Sequence, residues 1–228
     1  MNYREDIQIL RGVSILLVVL YHLGIGIFKS GFLGVDIFFV ISGFLMSILY
    51  KENNTINFYK RRALRILPAY FVTIIVTLIV VFILAINLIT PDDYEQTIEQ
   101  ALYSSLFVPN IAFWLQNSYF DPNLFRPLLH LWSLGVEIQF YLIVPIIFFL
   151  VKRSKIFFWL LSIVSISLCF AVTEVSPRTS FFILPFRLWE FMVGYGAARY
   201  LTDNGNIKND SYSLIGSVCL CNSYGLYT

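Results

Sequence analysis

Charge is what this chain has least of. Only 13% of its 228 residues are Asp, Glu, Lys or Arg, about half the share of an average soluble domain, and a water-facing surface cannot be built from so few. Disorder is excluded as well, because 58% of the residues are apolar and 18% aromatic. A mean hydropathy of +0.74 requires hydrocarbon as the solvent for most of the chain. Neither sign dominates: 16 Lys and Arg stand against 14 Asp and Glu, so there is no basic excess to recruit nucleic acid. Cysteine is scarce too. Cys169, Cys219 and Cys221 are too few and too badly spaced for a disulfide framework or a CxxC metal site, and they read as small core residues. No metal is expected.

Long apolar runs are plentiful. A spanning helix needs about 20 mostly apolar residues, and such sequence recurs at 12–28, 32–50, 66–90, 131–151, 156–172 and 181–198, with a seventh stretch beginning near Ser211 and running off the end. The first carries Arg11 at its entry and no small-residue cleavage site, so it reads as a retained span rather than a signal peptide. The expected fold is all-α, a polytopic transmembrane bundle of six complete spans plus a partial seventh, in one membrane-embedded domain over 1–228. Cytoplasmic loops hold the excess of Lys and Arg. Lys51, Lys60, Arg61, Arg62 and Arg65 therefore place the second connection inside, in agreement with Arg4 and Arg11 at the start and Lys152, Arg153 and Lys155 after the fourth span. A cell-membrane protein with a cytoplasmic N-terminus follows. Residues 91–130 carry Asp92, Asp93, Glu95, Glu99 and Asp121 against Arg126 alone, which suits an extracytoplasmic segment. Ala101 to Leu115 within it, interrupted by Pro109, reads as an interfacial or re-entrant piece.

Several ionisable side chains fall inside or near these runs: Arg11, His22, Asp36, His130, Glu137, Arg187 and Glu190. Each costs about 2.5 to 3.5 kcal/mol on insertion scales and usually faces a bundle interior. Arg11 and His22 lie 11 residues apart, which at about 100° per residue returns them to nearly one helix face, about 16 Å apart along the axis. Histidine takes a proton near neutral pH and suits a general base acting on a hydroxyl; a hydrogen-bonded structural His beside a snorkelling Arg fits the same spacing. Asp36 either favours the positive end of its helix or lies beside His22 and orients the imidazole. Arg62 and Arg65, one turn apart, either anchor the topology or clamp a phosphate bidentately. His130, Ser133 or Leu134, Glu137 and Tyr141 share a face. Arg187 and Glu190 at i, i+3 can neutralise one another.

Together these segments resemble the acyltransferase-3 family of membrane O-acyltransferases. The resemblance runs through Ile7-Gln8-Ile9-Leu10-Arg11-Gly12 and Tyr21-His22, with Arg11 and His22 matching an Arg-x10-His pattern. It resumes at Gly31 to Phe44, Arg61-Arg62-Ala63-Leu64-Arg65-Ile66-Leu67-Pro68, His130 to Tyr141, and Phe186-Arg187-Leu188-Trp189-Glu190 with Gly194. It implies transfer of an acyl group, most often acetyl, from cytoplasmic acyl-CoA to a hydroxyl of an extracytoplasmic glycan. No cofactor is held permanently; acetyl-CoA or another acyl-CoA is the donor substrate, and the bilayer and a carbohydrate acceptor are the partners. His22 matches the catalytic position and Arg11 its partner on the same helix; Asp36 is counted with them from its place in the sequence alone. Arg62 and Arg65 match the contacts to CoA phosphates. Glu137, Arg187 and Glu190 match positions kept polar, without an assigned role, and His130 is a further polar intramembrane candidate. Family members form a longer bundle, so a fragment or frameshifted product is expected here. The competing readings are a proton-coupled transporter or flippase, in which His22, Glu137 and Glu190 relay protons, and an inactive acyltransferase remnant.

Overall fold

A computed structural model describes residues 5–24, 27, 30–50, 54–85, 88–116 and 125–203. The seventh apolar stretch, Cys219, Cys221, Lys51 and Asp121 lie outside the described residues. Among the described residues the regular elements are nine α-helices: α1 (Glu5–His22), α2 (Leu33–Leu49), α3 (Thr55–Ala85), α4 (Pro91–Ser105), α5 (Pro109–Leu115), α6 (Leu131–Arg153), α7 (Lys155–Val175), α8 (Pro177–Phe182) and α9 (Leu184–Asp203).

The protein is an all-α membrane protein. α3, α6 and α7 are long and apolar enough to cross a bilayer. α2 is apolar but has 17 residues, about 26 Å of helix against about 30 Å of hydrocarbon. α1 and α9 coincide with expected spans, yet each carries at least three charged residues. The backbone sorts into two compact units, Met1–Leu49 with Trp189–Thr228, and Tyr50–Leu188.

Two boundaries differ from the sequence expectation. The basic connection before the third span is helix: α3 begins at Thr55, so Lys60, Arg61, Arg62 and Arg65 occupy its first three turns, and Pro68 sits inside it. Good helix formers continue a helix out of hydrocarbon as readily as within it. At the other boundary α1 stops at His22, because Gly24 adopts φ +69°, the left-handed conformation in which glycine ends helices. His22 thus lies in the last turn of α1 and is exposed.

In the first unit, α1 and α9 pack on α2 through small residues. A Cβ at Gly34 would collide with the Ser14 carbonyl of α1, one at Gly43 with the Phe191 carbonyl of α9, and one at Gly194 with the Val40 carbonyl. Close backbone approach of this kind drives helix association where lipid removes the hydrophobic difference. Ile7, Ile41, Phe44, Ala198 and Leu201 fill the space between, and Phe39 stacks on Phe191 with centroids 4.9 Å apart.

In the second unit, α3 and α6 run antiparallel. The Tyr59 hydroxyl donates to the Leu142 carbonyl at 2.9 Å, and nearer the start of α3 the Tyr50 ring meets Phe148 at 5.7 Å. That pairing brings the basic first turns of α3 to the same end as Lys152 and Arg153 in the last turn of α6. Ser154 closes α6 and caps α7, its Oγ accepting from the Ile156 amide, so Lys155 joins this end. The segment expected to be interfacial or re-entrant, Ala101 to Leu115, covers the end of α4 and all of α5, which form a helical hairpin. α4 starts on a Thr90 cap whose Oγ1 accepts from the Asp93 amide, followed by Pro91 and two acids in the first turn, the favourable charge for a helix start. Pro109 does not interrupt a helix; it begins α5. The break is Phe107 at φ +61°, a costly conformation for a bulky residue, held by the rings of Tyr70 and Phe71 at 5.8 and 6.0 Å. Neither α4 nor α5, about 22 and 10 Å long at 1.5 Å per residue, spans a bilayer.

Candidate active site

In the first unit the candidate residues lie along α1 and the start of α2. Arg11 is half-buried with its guanidinium carbon 5.1 Å from the centre of the Phe38 ring on α2, a cation–π contact. His22 stands three turns further along the same face. Its Nδ1 donates to the Val18 carbonyl at 2.8 Å, and Tyr21 meets the imidazole edge-on at 5.3 Å. The preceding turn of α1 thus helps to orient the ring, and Asp36 lies half-buried in the first turn of α2. The chemical consequence is specific. A carbonyl can only accept, so Nδ1 carries the proton, and in the neutral ring Nε2 keeps the lone pair that a general base needs. Glu190, on the part of α9 that belongs to this unit, is fully buried.

In the second unit the polar stripe expected on α6 divides by depth. His130 is the exposed N-terminal flank of the helix, where the Ser133 hydroxyl donates to its carbonyl at 3.4 Å. Two turns in, Glu137 and Tyr141 are buried, and the Tyr141 hydroxyl donates to Glu137 Oε1. The α3 arginines part company. Arg65 is exposed, as are Lys60 and Arg61, whereas Arg62 is half-buried. Its guanidinium carbon lies 5.9 Å from the Tyr141 ring centre and 6.0 Å from that of Phe58, one turn back in its own helix. Arg187 is buried at 1% exposure. Its Nε donates to the Phe181 carbonyl at 3.1 Å, and its guanidinium carbon sits 4.8 Å from the Phe181 ring centre.

Sequence reasoning missed a buried amide pair beside this stripe. Gln139 Nε2 donates to Asn110 Oδ1 at 2.7 Å, and Asn110 Nδ2 donates to the Phe182 carbonyl at 3.0 Å. The pair ties α5, α6 and the end of α8 together. A glutamine in an apolar run at i+2 from Glu137 was the available signal, since a carboxamide in hydrocarbon needs partners on other helices. The described residues contain no group of three or more His, Cys, Asp or Glu that could hold a metal ion.

A family profile described as an acyltransferase domain matches residues 4–227. The chain belongs to the acyltransferase-3 family. Every candidate residue from Arg11 to Glu190 lies inside the matched segment. Among similar proteins, "Putative O-acetyltransferase SAS0844" of Staphylococcus aureus strain MSSA476 is 33% identical over 227 residues, which is 92% of this chain and 37% of that protein. A protein of the same printed kind from strain COL, "Putative O-acetyltransferase SACOL0978", gives the same identity and coverage. O-acetyltransferase OatA of Staphylococcus aureus strain NCTC 8325 is 34% identical over 165 residues, 68% of this chain and 26% of its own length. The chain thus spans between about a quarter and little more than a third of the length of these relatives. No solved structure matches it.

Proposed function

We propose that the chain supplies the membrane-embedded acyltransferase portion of an O-acyltransferase, which moves an acyl group, acetyl by preference, from cytoplasmic acyl-CoA to a hydroxyl of an extracytoplasmic glycan in the cell membrane. The observation that carries this reading is the exposed His22 imidazole, protonated at Nδ1 by its bond to the Val18 carbonyl, on a chain whose relatives are named O-acetyltransferases. In direct transfer, Nε2 of His22 takes the proton of the acceptor hydroxyl as that oxygen attacks the thioester carbonyl; the carbon–sulfur bond breaks and CoA leaves as the thiol after taking up a proton. Arg11 lies on the same face of α1 but about 16 Å along the axis from His22, too far to touch the developing oxyanion, which donors close to the thioester carbonyl must stabilise. Attack by Nε2 itself, with an acyl-histidine between two steps, uses the same atom.

The donor end is assigned from charge. Lys60, Arg61, Arg62 and Arg65 at the start of α3 and Lys152, Arg153 and Lys155 at the α6–α7 bend form one basic end of the second unit. The positive-inside rule assigns that end to the cytoplasm, and Arg4 and Arg11 in the sequence assign the N-terminus there as well. Arg62 and Arg65 then stand where the phosphates of CoA arrive. The acids of α4 lie at the start of a separate hairpin, which we assign to the outer side.

The test is transfer of label from radioactive acetyl-CoA into base-labile ester on membrane glycan. His22→Ala should abolish ester formation while leaving the amount of inserted protein unchanged, since removing an imidazole does not raise the cost of insertion. Near-normal ester formation by that variant would return His22 to a structural role.

A further inference from the structure

Two carboxamide pairs hold the α4–α5 hairpin, and they differ in one atom. In the pair of Asn110 with Gln139 each of the four polar atoms has a partner: the two amides bond to one another, and their NH2 groups also reach the Phe182 and Phe107 carbonyls. That is what a structural pair in an apolar setting requires. The second pair stands at the other end of α5. Gln100 Nε2 on α4 donates to Gln116 Oε1 at 3.1 Å, and Gln116 Nε2 donates to Glu99 Oε2 at 3.2 Å. Gln100 is completely buried, yet its Oε1 accepts from no donor among the described residues.

The order of this chain is imposed from its outer end. A carboxylate only accepts, so the NH2 of Gln116 must face Glu99, its carbonyl must face inward, and the NH2 of Gln100 must meet that carbonyl. The donors therefore point toward the carboxylate, and the chain ends on a buried carbonyl in the seam between α4 and α5. An orphaned acceptor costs stability, and two apolar side chains would pin α5 on α4 at least as well. The outer end is open: Glu99 is exposed and Gln116 half-buried. Gln116 also closes α5, so its side chain can turn without disturbing a helix.

Hydroxyls complete this arrangement. A hydroxyl accepts one hydrogen bond and donates another, so it fits between the Gln116 NH2 and the Glu99 carboxylate, which has acceptor sites to spare. A neighbouring hydroxyl satisfies the Gln100 carbonyl once Gln116 swings outward with the first. Adjacent hydroxyls of this kind are what a pyranose ring presents. Charge narrows the class further, since Asp92, Asp93 and Glu95 share α4 with Glu99 and repel a polyanion.

We propose that Glu99, Gln116 and Gln100 form a binding site for a neutral pyranose of the acceptor glycan, with Glu99 and Gln116 holding one hydroxyl and the buried Gln100 carbonyl accepting from the next. The proposal rests on the reading of the acceptor as a glycan on the outer side, to which the hairpin is assigned.

The test is equilibrium dialysis of tritiated chitotetraose, cellotetraose and maltotetraose against the chain solubilised in a sugar-free detergent, with tetragalacturonic acid as the anionic control and the thermal midpoint recorded for each variant. The parent should bind at least one neutral tetrasaccharide about tenfold more tightly than the acid. Glu99→Ala and Gln116→Leu should each weaken that binding by about tenfold. Gln100→Met should weaken it by about fivefold while leaving the midpoint unchanged or higher, because it removes an orphaned acceptor. A lowered midpoint with parental sugar affinity in Gln100→Met is what a purely structural pair would give, and it would overturn the proposal. Parental affinity in Glu99→Ala, whose exposed side chain can be removed without unfolding the chain, would overturn it as well. Dialysis requires no transfer, so the two readings fail separately. A parent that forms ester from labelled acetyl-CoA but binds no neutral tetrasaccharide would overturn the sugar site alone. A parent that binds sugar through these residues and forms no ester would keep the site and bring down the transfer reading.

Discussion

α6 and α7 are consecutive helices of 23 and 21 residues, equally apolar over their best windows, and they meet at a single residue, Ser154. Half of the α6 window is buried inside the fold, against 11% for α7. Their polar residues explain the difference. α7 carries mostly short hydroxyls, and a hydroxyl can be satisfied within its own helix, as Ser162 is by the Phe158 carbonyl one turn back; only where α7 meets the fold do they reach further, Ser165 to the Pro185 carbonyl and Thr173 to Ser180 as well as to the Cys169 carbonyl. α6 carries Glu137, Gln139 and Tyr141, whose longer polar groups reach Asn110 and the Phe107 carbonyl on the hairpin as well as one another. Hydropathy states which solvent a helix prefers. The kind of polar side chain states whether it sits at the centre or the rim.

Three substitutions sharpen or break that comparison, read as unfolding free energies of the solubilised chain. The largest effect is expected from Gly135→Leu on α6. A Cβ there would already stand 2.7 Å from Pro109 Cδ and 2.8 Å from its Cγ, so the longer side chain should cost about 3 kcal/mol by forcing α5 away. An unchanged midpoint would show that the contact is not close-packed. Gln139→Ala comes next, at about 1 to 2 kcal/mol, since it leaves a buried Asn110 amide short of a partner in a membrane setting. Smallest is Ile163→Ala on α7, a residue 56% exposed, for which a change within about 0.5 kcal/mol is expected. A larger loss at Ile163 than at Gln139 would invert the assignment of centre and rim.

What the sequence could convey follows the same division. The start of α6 was legible to the residue, and so was the apolar body of α3, because both are set by burial in hydrocarbon. The first eleven residues of α3 were not, since Lys and Arg form helix readily and hydropathy is blind to that. The end of α1 carried its own signal in Gly24, outweighed in the reading by the apolar residues beyond it. The hairpin break was hidden: nothing in Leu106-Phe107-Val108 marks a left-handed phenylalanine, which depends on rings from α3 and a hydrogen bond from Gln139 on α6. Candidate residues stand out in the sequence wherever chemistry and spacing coincide, as with Arg11, His22, Arg62 and Glu137. Partners contributed by backbone, such as the Val18 carbonyl that orients His22 and the Phe181 carbonyl that receives Arg187, leave no trace in residue identity.

The most direct measurement uses sealed membrane vesicles of known sidedness, since acetyl-CoA does not cross a bilayer and the proposal places donor and acceptor on opposite faces. Inverted vesicles, with the basic ends of α3 and α6 outward, should take label from external acetyl-CoA and deposit it as base-labile ester on enclosed glycan. Right-side-out vesicles should incorporate almost none until they are permeabilised. Equal labelling of intact right-side-out vesicles from external acetyl-CoA would contradict the assignment of the basic end as the cytoplasmic donor site.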